Sequence, residues 1–341
     1  MTRGGLIRLC ILFGVAVALV PVGYATMIGM PGTSYTGPLP PLGEEERALA
    51  RTLEEHVRKL AEEIGERNVS RPTELGRAAD HIEATLRAAG LGVRRQGYEV
   101  GMKTCHNIEA EIPGEGQEII VVGAHYDSVI GCPGANDNAT GVAALLALAE
   151  LLAQDERLRA AQLPRTIRLV AFVNEEPPFF QTDLMGSLVY AKECRRRGDR
   201  ITGMLSLETM GFYSEEPGSQ SYPFPFSLFY PSTGNFIGFV GDFSSRAFVR
   251  RVVESFRRHA RFPSEGGAPP GFVPGVSWSD HWSFSKQGFP AVMVTDTAPF
   301  RYAHYHTAED TADKIDYERL ARVVSGLEKV ILELAGGRDA P

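Results

Sequence analysis

The sequence predicts an α/β fold, a three-layer sandwich in which a mostly parallel, mixed central sheet carries helices on both faces. Three observations point there. From residue 93 onward, short apolar runs alternate with longer stretches of helical periodicity, the pattern of strands joined by crossover helices. Those runs are nearly continuous rather than alternately apolar and polar, so both faces of the sheet are covered. The 341 residues, 43% hydrophobic and 23% charged, exclude a wholly disordered, collagenous or coiled-coil chain and suffice for one large core.

At the N-terminus, Arg3 and Arg8 are followed by no charged residue until Glu44. Residues 9–20 form an apolar run behind that basic tip, and Gly23-Tyr24-Ala25 places small residues where a signal peptidase reads them. Residues 1–30 are therefore expected to be an export leader. The alternative is an uncleaved membrane anchor, because residues 9–30 are uncharged over a length that spans a bilayer. Either way the protein is expected to be exported, as a secreted, periplasmic or membrane-tethered chain. Residues 31–43, with Pro31, Pro38, Pro40 and Pro41, read as an extended linker that tethers without packing. Residues 44–341 then form a single domain.

Within that domain, Leu49, Leu53, Val57, Leu60 and Ile64 recur every three or four residues and predict an amphipathic helix. Pro72 and Thr73 open a second helix, lined by Leu75, Ala79, Ile82 and Leu86, which Gly90 ends. Strands are predicted at 93–100, 118–123, 166–173, 204–207, 236–240 and 291–294, and helices at 140–153, 184–195, 246–259 and 317–335. The Gly/Pro-biased stretch 264–275 is assigned no element. Lys and Arg number 35 against 42 Asp and Glu, a net charge of −7 without a long basic run, which excludes nucleic acid as a partner. Of four cysteines, Cys10 lies in the apolar run and no Cys-x-x-Cys zinc pattern exists. Cys105, Cys132 and Cys194 leave the pairing open, Cys105 with Cys132 being one choice.

Ligands of an open α/β sheet bind beyond the carboxyl ends of its strands, so the polar residues that close each apolar run are the candidates. His125-Tyr126-Asp127 closes one: His125 could ligate a metal while Asp127 takes its other N–H, or the pair could simply cap the strand. Asp137, in Gly134-Ala135-Asn136-Asp137-Asn138, is either a helix N-cap or a ligand. Asn174-Glu175-Glu176 closes another run. Neighbouring carboxylates on opposite sides of a strand suit different tasks, one on a metal and one moving protons. Glu208 ends the next run, and Ser279-Asp280-His281 and Tyr305-His306-Thr307 come late. Together these residues offer nitrogen and oxygen donors without thiolate, suited to one or two divalent ions of the zinc type.

In order and spacing, Gly-Ala-His125-Tyr-Asp127-Ser, Gly-Ala-Asn-Asp137-Asn-Ala-Thr-Gly, Asn-Glu175-Glu176, Leu-Glu208-Thr-Met-Gly, Ser-Asp280-His281 and Tyr-His306-Thr resemble the secreted co-catalytic zinc aminopeptidases. That metallopeptidase family also contains the glutaminyl cyclases, and the resemblance spans residues 107–335. It implies two zinc ions per chain, His125 and Glu208 on one, Glu176 and His306 on the other, with Asp137 bridging both through a cis Asp137–Asn138 peptide. It further implies Glu175 as general base, Asp127 behind the ligands, and peptide substrates with a free N-terminus. Tyr305, beside His306, is the candidate donor to a developing oxyanion, or else a core-packing tyrosine. His281 is expected to line the pocket. Two departures stand out: Glu208 occupies a place where relatives often have Asp, and residues 177–183 insert Pro-Pro-Phe-Phe-Gln-Thr-Asp at the pocket rim. A glutaminyl cyclase is the alternative within the family, disfavoured because His125 and the second-zinc acid are both retained. A metal-free binding ectodomain is disfavoured because all five ligands are present, and a serine hydrolase because no Gly-x-Ser-x-Gly elbow exists.

Overall fold

In the computed structural model, which describes Arg8 and residues 21–159 and 162–337, the strands form one sheet. They are β1 (Gly92–Val100), β2 (Lys103–Ile112), β3 (Glu118–His125), β4 (Thr166–Phe172), β5 (Arg200–Glu208), β6 (Ile237–Val240), β7 (Ser264–Gly267) and β8 (Ala291–Thr295). Their order is β1-β2-β4-β3-β5-β8-β6-β7. The central pairs β4/β3, β3/β5 and β5/β8 are parallel, as is β6/β7, whereas β1/β2, β2/β4 and β6/β8 are antiparallel. The mixed, mostly parallel sandwich is the architecture the sequence predicts.

The helices are α1 (Glu44–Arg58), α2 (Pro72–Ala88), α3 (Thr140–Gln154), α4 (Glu156–Arg159), α5 (Gly186–Arg197), α6 (Arg246–His259), α7 (His281–Lys286) and α8 (Tyr317–Ala335). Strand β3 explains the continuous apolar runs. Ile120, Val122 and Ala124 enter the larger core with α1, α2, α3, α6 and α8, while Ile119 and Val121 enter a smaller one with Tyr190 of α5 and Phe284 of α7. Successive side chains of a strand face opposite ways, and each fully buried Ile or Val stabilises the fold by roughly 2 kcal/mol, so a polar residue on either face of β3 would be costly.

Several elements depart from expectation. Strand β2 was not predicted, because Lys103–His106 at its start is polar and exposed in part. Strand β7 lies in the stretch assigned no element: Ser264-Glu265-Gly266-Gly267 has no β-branched residue, and its pairing with β6 is what holds it extended. The Ser279-Asp280-His281 segment opens the short helix α7 rather than running into a strand. Gly90, at φ 84°, ends the second helix as predicted.

The linker reading is corrected. Residues 31–43 pack along the domain: Arg257 donates to the carbonyls of Pro31 (3.0 Å) and Gly32 (3.2 Å), and the Ser264 amide donates to Ser34 Oγ (2.9 Å). Arg322 donates to the Pro40 carbonyl, and Leu42 is buried. The packed segment even begins inside the stretch expected to be leader, because the Ala268 amide donates to the Met27 carbonyl (2.8 Å) and Arg250 to that of Gly29. Exposed proline carbonyls with no partner in their own segment are natural acceptors for arginine, which composition alone does not reveal. The apolar run 9–20 lies outside the described residues, and among the described residues no helix is long and apolar enough to cross a membrane. Cys105, Cys132 and Cys194 are free and buried, so the Cys105–Cys132 pairing does not form.

Candidate metal centre

Four adjacent strands, β4, β3, β5 and β8, present their carboxyl ends side by side, and the predicted ligands sit there. His125 is the last residue of β3 and Glu208 the last of β5. Beyond β4 the chain turns through Asn174 at φ 61° before Glu175 and Glu176. The two carboxylates therefore leave a left-handed turn, not a continuing strand, which corrects the reason for their divergence. Thr209 (φ 40°) after Glu208 and His306 itself (φ 59°) are also left-handed, a concentration of disfavoured backbone that is typical of functional sites.

Asp137 is not an N-cap. Helix α3 begins at Thr140 without a side-chain cap, and the Asp137 carboxylate instead lies between two imidazoles. Its Oδ1 is 3.3 Å from His125 Nε2 and its Oδ2 is 3.0 Å from His306 Nε2. Glu208 Oε2 is 3.3 Å from His125 Nε2, and Glu176 Oε2 is 3.3 Å from His306 Nε2. Glu175 Oε2 stands farther off, 3.8 Å from His125 Nε2. The Asp137–Asn138 peptide is cis. All of these groups except His306 are buried.

The supporting contacts are where sequence reasoning went partly astray. Asp127 was expected to take the His125 N–H with its carboxylate. His125 Nδ1 instead lies 3.2 Å from the Asp127 carbonyl, and the carboxylate is 3.7 Å away, too far for a hydrogen bond. That carboxylate accepts from the amides of Glu175 (3.2 Å) and Glu176 (3.1 Å), so Asp127 aims the two glutamates. Asp310 does the same for the neighbouring loop, accepting from the amides of Asn136 (2.8 Å) and Asp137 (3.1 Å). Asn138 ties that loop to β5: its Oδ1 accepts from Gly141 (3.0 Å) and Thr209 (3.1 Å), and its Nδ2 donates to the Leu207 carbonyl (2.8 Å). Arg67, fully buried, donates to the carbonyls of Tyr126 (2.7 Å) and Gly134 (2.8 Å). Both lie far in sequence from what they hold; Asp310 belongs to the Asp310-Thr311 pair that trails the His306 motif, without a role that the sequence assigns, and no local pattern marks Arg67.

Four carboxyl groups and two imidazoles crowd the centre, and burial governs their acidity. Burial and the Asp137 charge push the Glu176 acid up to about 8. Burial, reinforced by Glu208 and Glu176, holds Glu175 well above the ordinary carboxyl range. Burial works against both Asp137 and His306; contacts with the imidazoles nevertheless hold Asp137 low, and contacts with Asp137 and Glu176 raise His306 to about 10. Asp280, buried behind Glu208, is pushed up to about 7 by burial. This excess of buried acid is what divalent cations would neutralise. The donor atoms fall into three overlapping sets, each with its atoms within 4.8 Å of one another: His125, Asp137 and Glu208; Asp137, Glu176 and His306; and His125, Glu175 and Glu176.

A cleft of about 130 Å³ opens from this centre, with Glu208 and Tyr305 at its inner end and mostly aromatic and proline walls. The Tyr305 ring stacks on His306 (centroids 3.8 Å apart), and burial with the surrounding acids keeps its phenol protonated. His281 does not line the cleft: it is buried in α7 with Nε2 2.6 Å from the Val276 carbonyl, and burial lowers its pKa to about 4. Nor do Phe179 and Phe180 reach it; Phe179 packs against the larger core, and Gln181 Nε2 donates to the Ser277 carbonyl (2.9 Å) at the rim.

Residues 107–331 match the model of peptidase family M28. The chain belongs to that family. As an M28 peptidase it is 38% identical over 290 residues to the uncharacterized protein YfbL of Escherichia coli K12, covering 82% of this chain and 87% of that one. It is 24% identical to leucine aminopeptidase 1 of Arthroderma otae over 92% of this chain and 83% of the relative. Among solved structures, the zinc aminopeptidase BSAP from Bacillus subtilis superposes with a TM-score of 0.65 at 17% identity, covering 86% of this chain and 96% of its own, which places the M28 fold beyond the sequence match.

Proposed function

We propose that this M28 peptidase is a zinc-dependent aminopeptidase that removes N-terminal residues from peptides. One observation carries the reading: the two oxygens of Asp137 face separate imidazoles, at 3.3 and 3.0 Å, so that Asp137 is shared by two of the three-residue donor sets. His125, Asp137 and Glu208 would hold one zinc ion and Asp137, Glu176 and His306 the other. Bound there, zinc lowers the pKa of water toward neutrality and polarises a carbonyl. Glu175, aimed by Asp127 and with its carboxylate 3.8 Å from His125 where Asp137 and Glu208 stand at 3.3 Å, is left to accept the proton of the attacking water and return it to the leaving amine. Tyr305, its phenol protonated and facing the cleft, donates to the carbonyl oxygen as that atom gains negative charge. The surplus of carboxylates suits recognition of an α-ammonium group, and the apolar cleft suits a large first side chain.

The test incubates the zinc-loaded protein with peptides beginning Leu, Phe, Ala and Gln, each beside an N-acetylated twin, and follows products by mass. Release of the first residue from unblocked peptides alone is the expected result. Conversion of the Gln peptide with loss of ammonia and no shortening would replace this reading with a cyclase, and cleavage of the acetylated twins would remove the aminopeptidase assignment.

A further inference from the structure

Glu208 and Glu265 are the only charged side chains that line the cleft among the described residues, one on β5 and the other on β7. The sheet register sets their separation. Glu208 pairs with Thr295, Thr295 with Gly238, and Gly238 with Glu265, so the cleft floor is one row across β5, β8, β6 and β7. Three strand spacings put the Cα atoms of the two glutamates about 14 Å apart. Gly238 leaves the middle of that row without a side chain.

Alternation along β7 fixes which way Glu265 points. A Cβ on Gly266 would meet Val253 of α6 at 2.8 Å, whereas one on Gly267 would meet the Tyr230 hydroxyl at 2.7 Å. Glu265 shares the face of Gly267, toward Tyr230 and the cleft. Its carboxylate accepts no hydrogen bond from a described residue. The nearest cation, Arg257, is 3.9 Å away and spends its donors on Ser264, Pro31 and Gly32. Burial raises the Glu265 pKa against the pull of Arg257, so a carboxylate with one cation at 3.9 Å and no hydrogen bond is incompletely satisfied in this otherwise apolar pocket until a ligand completes it.

We propose that Glu265 is a specificity residue that receives the ammonium of Lys or the guanidinium of Arg as the first residue of the substrate, its carbon stem lying along the aromatic walls. The proposal rests on the aminopeptidase reading. A lysine reaches roughly 6 Å from Cα to its nitrogen and an ion-pair contact adds about 3 Å, a span that crosses two of the three strand spacings of the row, while Glu265 stands off the sheet face to meet it. Tyr222, Tyr230 and Phe300 along the way suit both the methylene stem and the cation.

The experiment compares kcat/KM on peptides that differ only in the first residue, Lys, Arg, norleucine or Leu, for the wild-type zinc enzyme and for Glu265→Gln and Glu265→Leu. Norleucine keeps the lysine stem without its charge. In the wild type, Lys should exceed norleucine at least tenfold. In both variants the loss on Lys and Arg should exceed the loss on Leu and norleucine by about 10- to 100-fold, carried mainly by KM, since a charged hydrogen bond is at stake. Equal losses on all four peptides, or a wild-type Lys-to-norleucine ratio near one, would overturn the proposal while leaving the aminopeptidase standing. Cleavage of none of the four would overturn both. The wild-type ratio alone decides the matter if a variant does not fold.

Discussion

Glu175 and Glu176 are adjacent and both donate their amides to the Asp127 carboxylate, and under the proposed function they do different work. Replacing Glu175 with Gln keeps shape and hydrogen-bonding reach but removes the ability to take a proton near neutrality. Turnover should fall by at least a thousandfold, on the scale of lost general-base catalysis, with zinc content unchanged by metal analysis. Glu176→Gln should instead weaken zinc retention in a chelator competition, because its oxygen sits 3.3 Å from His306 within a ligand set. An exchange of the two phenotypes would put the assignment out of register. The residues that end strands were legible in the sequence because a strand delivers its last side chain to a fixed edge. Asp127 was legible as a participant but not in its contacts: whether the carboxylate or the carbonyl faces His125 depends on how β3 turns after its last pair, which no spacing encodes.

At the scale of elements, the loop before α3 and the end of β5 are clamped together where only glycine fits. A Cβ on Gly141 would lie 2.3 Å from Asn138 Oδ1 and 2.4 Å from the Leu207 carbonyl, the two acceptors that position the segments bearing Asp137 and Glu208. Gly141→Ala should cost about 2 kcal/mol in denaturant unfolding, as overpacking does, and should lower zinc affinity as well. Lost stability with intact zinc affinity would mean the clamp does not position the ligands. Long apolar elements such as α8 and β3 were readable because burial on one or both faces writes its period into the composition. β2 and β7 were not. β2 enters the core through Ile108, Ala110 and Ile112 but starts on polar residues and alternates them with Glu109 and Glu111, and Ser264-Glu265-Gly266-Gly267 carries no trace of a strand in its residue types. The segment 31–43 misled in the opposite direction, since its prolines mark extension and say nothing about whether arginines wait to hold it.

Across the whole molecule, the buried acids and imidazoles of the metal centre make the metal-free protein less stable as pH rises, opposed more weakly by His281 and His56, which burial lowers to about 4. Glu176 (about 8), Glu175 (well raised) and His306 (about 10) all bind protons more tightly folded than unfolded. Their stabilisation is fully present below the unfolded values and is lost as pH rises through the folded ones. Asp137, held low, acts oppositely but only in acid. The chelated protein should therefore melt at a lower temperature at pH 8 than at pH 6. Zinc should raise the melting temperature and flatten that dependence, because binding requires the deprotonated ligands and stabilises the folded state by mass action. A metal-free protein as stable at pH 8 as at pH 6 would contradict the burial argument. The segment that wraps the edge of β7 has a different kind of consequence, one of timing. Its anchors, Arg250, Arg257, Ser264 and Arg322, lie more than 200 residues downstream of the atoms they hold. Ribosomes make this stretch first, yet residues 27–34 have nowhere to dock until α6 and β7 have emerged, and Pro40 must wait for Arg322 of α8. For most of synthesis residues 27–42 are free chain, so any factor that binds this segment during translation meets it before the fold can claim it.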